Sequence, residues 1–124
     1  DELSKIEEVY NRMTNFCKSV KGRTIDELEI LIKCRYNFCR YLWLNQQTER
    51  AISETFETIG ICLKNNSFYC LANLYCLLGN VSEGFAHKDA VKQYFVTAQR
   101  AYLLEGNDKM ALDLERFINE TFPA

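Results

Sequence analysis

Residues 92–124 read KQYFVTAQRAYLLEGNDKMALDLERFINETFPA, and their phasing decides the fold. Phe95, Ala98 and Tyr102 recur at helical spacing, Gly106 breaks the run, and Ala111, Leu114 and Ile118 open a second phase of the same period. Two helices with apolar stripes, joined by a glycine turn, form a hairpin. Such a hairpin cannot bury its stripes alone, so the pattern predicts neighbours packed against it.

The upstream sequence supplies them. Ser4 with Glu7 fits a capping box opening a helix over 4–20, with Ile6, Val9, Tyr10, Met13 and Cys17 on one face and Gly22 as its stop. Thr24 with Glu27 fits a second box, and apolar residues from Ile25 to Leu44 cover so much of the circumference that this helix is expected to lie centrally. After the polar break Asn45-Gln46-Gln47, Thr48 caps a third helix through Leu63, with Ala51, Ile52, Thr55, Phe56 and Ile59 inward. Asn65-Asn66-Ser67 turns into a fourth helix from Phe68 to Leu78, which Gly79-Asn80 ends. Residues 80–87 read as a loop or one turn, and helices follow over 87–105 and 108–121. No segment alternates with period two. The expectation is a single all-α domain over 1–124: about six antiparallel helices stacked right-handed as hairpins. Its core is expected from Phe38, Leu42, Ile52, Phe56, Leu71, Tyr75, Phe95, Tyr102, Leu112 and Phe117.

With 124 residues and 48% hydrophobic content, the chain has apolar material for a core. Fifteen basic and 17 acidic residues are mixed along it for a net charge of −2, which argues against a nucleic-acid or anionic-membrane surface. It holds neither a signal peptide nor a long apolar span, and its start at Asp1 has the look of a fragment of a larger chain.

Catalysis needs positioned acid, base or nucleophile, and the chain offers one histidine, His87. Nothing in sequence context joins it to Cys17 or Cys39 as a nucleophilic pair. Glu7-Glu8 and Asp26-Glu27 read as first-turn residues favoured by the helix dipole. The five glycines are isolated and form no phosphate loop. A non-enzyme without metal or cofactor is expected.

Six cysteines leave two readings. Cys34 and Cys39 are separated by four residues and Cys70 and Cys76 by five, which is not the spacing of a zinc site. Reduced thiols used as small buried residues imply a cytoplasmic protein. Three disulfides imply a secreted helical bundle acting as a cytokine-like ligand or effector, a reading to which the glycosylation-type triplets at Asn65, Asn80 and Asn119 belong. The reduced reading is preferred, because the cysteines fall within apolar helical faces.

In Phe38-Cys39, Trp43 and Ala51-Ile52, and again in Phe68, Leu71-Ala72, Tyr75 and Gly79, a bulky residue precedes a small one and an aromatic follows. With 92–124, these stretches resemble the tetratricopeptide repeat, over roughly residues 32–124. The resemblance implies a concave groove that holds a peptide or a partner helix. Its register projects Arg40, Asn73 and Arg100 into that groove, with Tyr36, Tyr69 and Val96 one turn earlier and Trp43 as a further apolar contact. An Asn amide both donates to and accepts from a peptide backbone, Arg takes carboxylates, and Tyr gives area at low entropic cost. Ala72 follows Cys39 by 33 residues, but Gln99 follows Ala72 by only 27. Either a return helix is squeezed into 80–91, or the helix at 87–105 is itself that return helix and the last match is a fortuitous hairpin. The Leu-Leu-Gly-Asn and Leu-Leu-Glu-Gly-Asn helix ends are also similar to the C-terminal repeat domains of peptide-pheromone-sensing bacterial regulators. Terminal hairpins of a short repeat array expose apolar faces unless capped, and the last unit ends in Phe117, Ile118 and Phe122, which leaves self-association open.

Overall fold

The computed structural model describes residues 2–19 and 24–123, which form six helices and no strand. These are α1 (Glu2–Ser19), α2 (Ile25–Leu44), α3 (Thr48–Lys64), α4 (Leu71–Ser82), α5 (Lys88–Leu104) and α6 (Asp108–Thr121). The all-α expectation holds. The proposed stop at Gly22 lies outside the described residues.

Three of the connections are built alike. After α2, α3 and α5 the chain makes the same Schellman-type turn, in which Gln47, Ser67 and Asn107 donate backbone N–H to the carbonyls of Leu42, Cys62 and Tyr102 at 2.8–2.9 Å. Each turn needs one residue at positive φ, and Gln46, Asn66 and Gly106 supply it. Only at Gly106 is that conformation free of Cβ strain. Asn45 and Asn65 add side-chain donation to the carbonyls of Tyr41 and Ile61, each at 2.8 Å, which satisfies helix-end acceptors.

Several expected boundaries are corrected. Thr24 does cap α2, its Oγ1 accepting from the Glu27 N–H at 3.1 Å. Ser4 does not cap α1, because the helix already begins at Glu2. Thr48 is the first helical residue of α3, and Gln47 holds the cap position without a side-chain hydrogen bond. Helix α4 starts at Leu71 rather than Phe68, since Cys70 adopts a left-handed conformation (φ 58°) and the Ser67 hydroxyl accepts from Tyr69 N–H in the preceding turn. It also runs through Gly79 and Asn80 to Ser82. Gly79 is a packing residue, not a stop: a Cβ there would lie 2.7 Å from two carbons of the Phe95 ring.

Each helix packs on its neighbour in the chain, and α2 also touches α4. Helix α5 is a full 17-residue helix packed along α4, so nothing is squeezed into residues 80–91. One core cluster joins Ile6 of α1 to Phe38, Cys39, Leu42, Ala51, Leu77 and Val81. Another joins Ile32, Ile59, Cys62, Leu74 and Leu78, and a third sets Ala72, Ala101, Tyr102 and Ala111 at the meeting of α4, α5 and α6.

Phe38, Leu42, Leu71, Phe95 and Tyr102 are buried as expected, and Ile52 and Tyr75 are partly buried against the core. Three expected core residues are not. Phe56 is 48% exposed, because the inward face of α3 runs through Ala51, Thr55, Thr58-Ile59 and Cys62 and leaves Phe56 off to one side, edge-on to Tyr94 at 6.2 Å. Leu112 is 48% exposed and Phe117 also exposed, because α6 turns Ala111 and Ile118 inward. Phe117 still covers the Phe95 ring edge-on at 5.0 Å.

Candidate functional site

Helices α2, α4 and α6 wall a cavity of about 460 Å³, lined by Tyr36, Arg40 and Trp43 of α2, Asn73, Cys76, Leu77 and Asn80 of α4, Tyr102 of α5 and Met110 of α6. Four of the six residues singled out from the sequence therefore meet around one space. The stagger that brings them together is helical. Tyr36, Arg40 and Trp43 lie three and four apart on α2, as do Asn73, Cys76 and Asn80 on α4, so each set forms one stripe.

The floor is a polar relay. The Tyr102 hydroxyl donates to Asn73 Oδ1, which leaves the Asn73 amide N–H₂ without a hydrogen bond among the described residues. The second lone pair of Oδ1 can still accept, so Asn73 offers the cavity both a donor and an acceptor. Burial pushes the Tyr102 phenol up, and the neighbouring Cys76 adds to the shift. Burial also raises the Cys76 thiol to about 11, so it is a protonated lining group at neutral pH. Tyr36 is raised by its own burial, with Arg40 opposing. Arg40 holds its guanidinium 5.9 Å from the Tyr36 ring centre and forms no ion pair among the described residues.

Two expected site residues lie elsewhere. Tyr69 belongs to the turn before α4 instead of its first turn, and lines a separate space with Asp26, Glu29, Ile30, Lys33 and Cys34. Arg100 is exposed on α5, which packs behind α4 and sends only Tyr102 through to the cavity. The third wall comes from Met110 of α6, which the sequence register missed. That register matches Gln99 of α5 to Cys39 and Ala72. Ala111, buried beside Ala72, is the signal that would have found α6.

His87 is the N-cap of α5, its Nδ1 accepting from the Asp89 N–H at 3.3 Å. Glu7 and Glu8 are mid-helix ion-pair partners, of Arg50 at 2.8 Å and Arg12 at 2.6 Å, and not first-turn residues. Among the described residues there is no cluster of three or more His, Cys, Asp or Glu that would hold a metal, and no helix long and apolar enough to cross a membrane.

All six cysteines carry free thiols. Cys39 and Cys62 are fully buried, and burial raises the Cys62 thiol to about 11. Denatured without reductant, the protein is expected to take up six alkyl groups by mass, and in the native state to leave Cys39 and Cys62 unmodified. Fewer than six in the denatured protein would reveal disulfides and favour the secreted reading.

No protein-family model matches the chain, and no curated protein and no solved structure matches it.

Proposed function

We propose that the chain is a non-catalytic protein- or peptide-binding module of tetratricopeptide-like hairpins, with the α2–α4–α6 cavity as its groove. The observation that carries this reading is the lining: Tyr36, Arg40, Trp43 and Asn73 meet there, and the amide of Asn73 is held by Tyr102 with its N–H₂ unspent. Support for the repeat comes from Cys39, Ala72 and Ala111, small buried residues on α2, α4 and α6. Tyr36, Trp43 and Met110 supply adaptable apolar area, and Arg40 and Asn73 supply the donors that fix a peptide. Free thiols support a cytoplasmic location, and a role as the sensing domain of a regulator fits the same groove.

The test is selection of a phage-displayed random peptide library on the folded protein, followed by titration of the best binder. Asn73→Asp keeps an acceptor for Tyr102 and removes the donor. It is expected to weaken binding by about 1–3 kcal/mol while folding as the parent does. Asn73→Ala is a poorer probe, because it also strands the buried Tyr102 hydroxyl. No enriched peptide, or a binder indifferent to both Asn73→Asp and Trp43→Ala, would overturn the reading.

A further inference from the structure

Toward the N-terminal end of α2 lies the second space, of about 480 Å³, lined by Ile30, Lys33 and Cys34 of α2 and by Tyr69. Residues of α2 and of the 69–80 stretch enter the two spaces in the same order, Lys33 with Tyr69 and then Trp43 with Asn80, so an extended chain laid along α2 as in a trough would meet both. From Asp26 to Trp43 the α2 stripe spans about 25 Å at the helical rise, the reach of seven or eight extended residues.

Tyr36 lines the first space, and two cations from the turns before and after it on α2 lie near its ring. Lys33 Nζ lies 5.4 Å from the ring centre and Arg40 Cζ 5.9 Å. Neither forms an ion pair among the described residues, and both are exposed. No carboxylate lines the Arg40 side of the trough, whereas Asp26 and Glu29 close the far end beyond Lys33. Positive charge therefore sits beside Tyr36, with Asp26 and Glu29 toward the N-terminal end of α2 and Glu105, the C-cap of α5, close enough to act on Tyr102 and Cys70.

We infer that the trough takes an extended peptide segment of a partner protein that crosses both spaces and seats one internal Asp or Glu side chain over Tyr36, between Lys33 and Arg40. The inference rests on the groove reading above and adds the partner's chemistry. A carboxylate held by two cations gains charge-assisted bonds that a neutral side chain lacks. Central placement excludes capture of a chain end, since a terminal carboxylate on Tyr36 would leave one of the two spaces empty. The acidic far end likewise disfavours a uniformly acidic segment.

The experiment is octapeptide selection from two libraries, one with free and one with amidated C-termini, against the parent and against Lys33→Glu/Arg40→Glu. Neither side chain has an ion pair to lose, and circular dichroism checks that the variant is folded. The parent is expected to enrich an internal Asp or Glu flanked by apolar residues in both libraries. The doubly reversed variant is expected to bind the best such peptide about tenfold or more weakly and to enrich Lys or Arg at that position. Enrichment confined to free C-termini, enrichment without an internal acid, or a preference unmoved by the reversal would overturn the inference while leaving a peptide groove. Failure of the parent to enrich any peptide would remove the groove reading itself.

Discussion

Arg35→Ala is expected to cost about 3–5 kcal/mol of stability in urea or thermal unfolding, the largest loss from any single side chain that carries a charge here. Arg35 is 8% exposed in the middle of α2, and its charge is shared among three elements. Its Nε donates to Thr58 Oγ1 at 2.9 Å and its Nη2 to Glu54 Oε2 at 3.0 Å. Nη1 reaches Cys17 Sγ of α1 at 3.9 Å, and Glu57 lies 3.6 Å away. Thr58 can accept because its own proton goes to the Glu54 carbonyl at 2.7 Å. Burial alone lowers the Arg35 pKa, and Cys17, Glu57 and Glu54 more than offset that, so the net direction is upward and the group stays charged. Removing it strands Glu54, whose side chain is 17% exposed. The double change Arg35→Met with Glu54→Gln removes both charges and is expected to recover most of the loss. A loss for Arg35→Ala of under about 1 kcal/mol would show that water reaches the network and screens it.

The second large effect lies at the α4–α5 contact. Phe95→Ala is expected to cost about 3–5 kcal/mol, since the buried ring fills the space over Gly79 and packs on Phe117 and Phe122. Gly79→Ala tests the same contact with opposite geometry. In an open helix the change gains about 0.5–1 kcal/mol. Here the new Cβ would meet the Phe95 ring at 2.7 Å, so a loss of about 1–3 kcal/mol is expected instead. On a Phe95→Leu background the added methyl has room, and the penalty should shrink or vanish in a double-mutant cycle. Stabilisation by Gly79→Ala in the parent would mean that the two helices do not approach so closely.

The site was partly legible because its stripes are local. Tyr36, Arg40 and Trp43 share a face of α2 by spacing alone, and Asn73 follows from its position beside Ala72. Tyr69 was misplaced because a left-handed Cys70 delays the start of α4, and no propensity rule anticipates that conformation for cysteine. Arg100 was misplaced because neither α5, with Gln99 27 residues after Ala72, nor α6, with Ala111 39 residues after it, repeats the 33-residue interval from Cys39 to Ala72, and only packing shows which helix stands on the cavity side.

The sequence by itself determined the helical class, the bounds of α6, the cap at Thr24 and the breaks near residues 45–47, 65–67 and 106. Each follows from hydrophobic period and side-chain chemistry acting within a few residues. Tertiary structure alone decided that Gly79 is a contact and not a stop, that Arg35 is buried with its counter-charges, and that the Asn73 oxygen accepts from Tyr102. In these three cases the partner lies 16–29 residues away in the chain, at Phe95, Glu54, Thr58 or Tyr102, and a group's burial and bonding depend on what the fold brings to it.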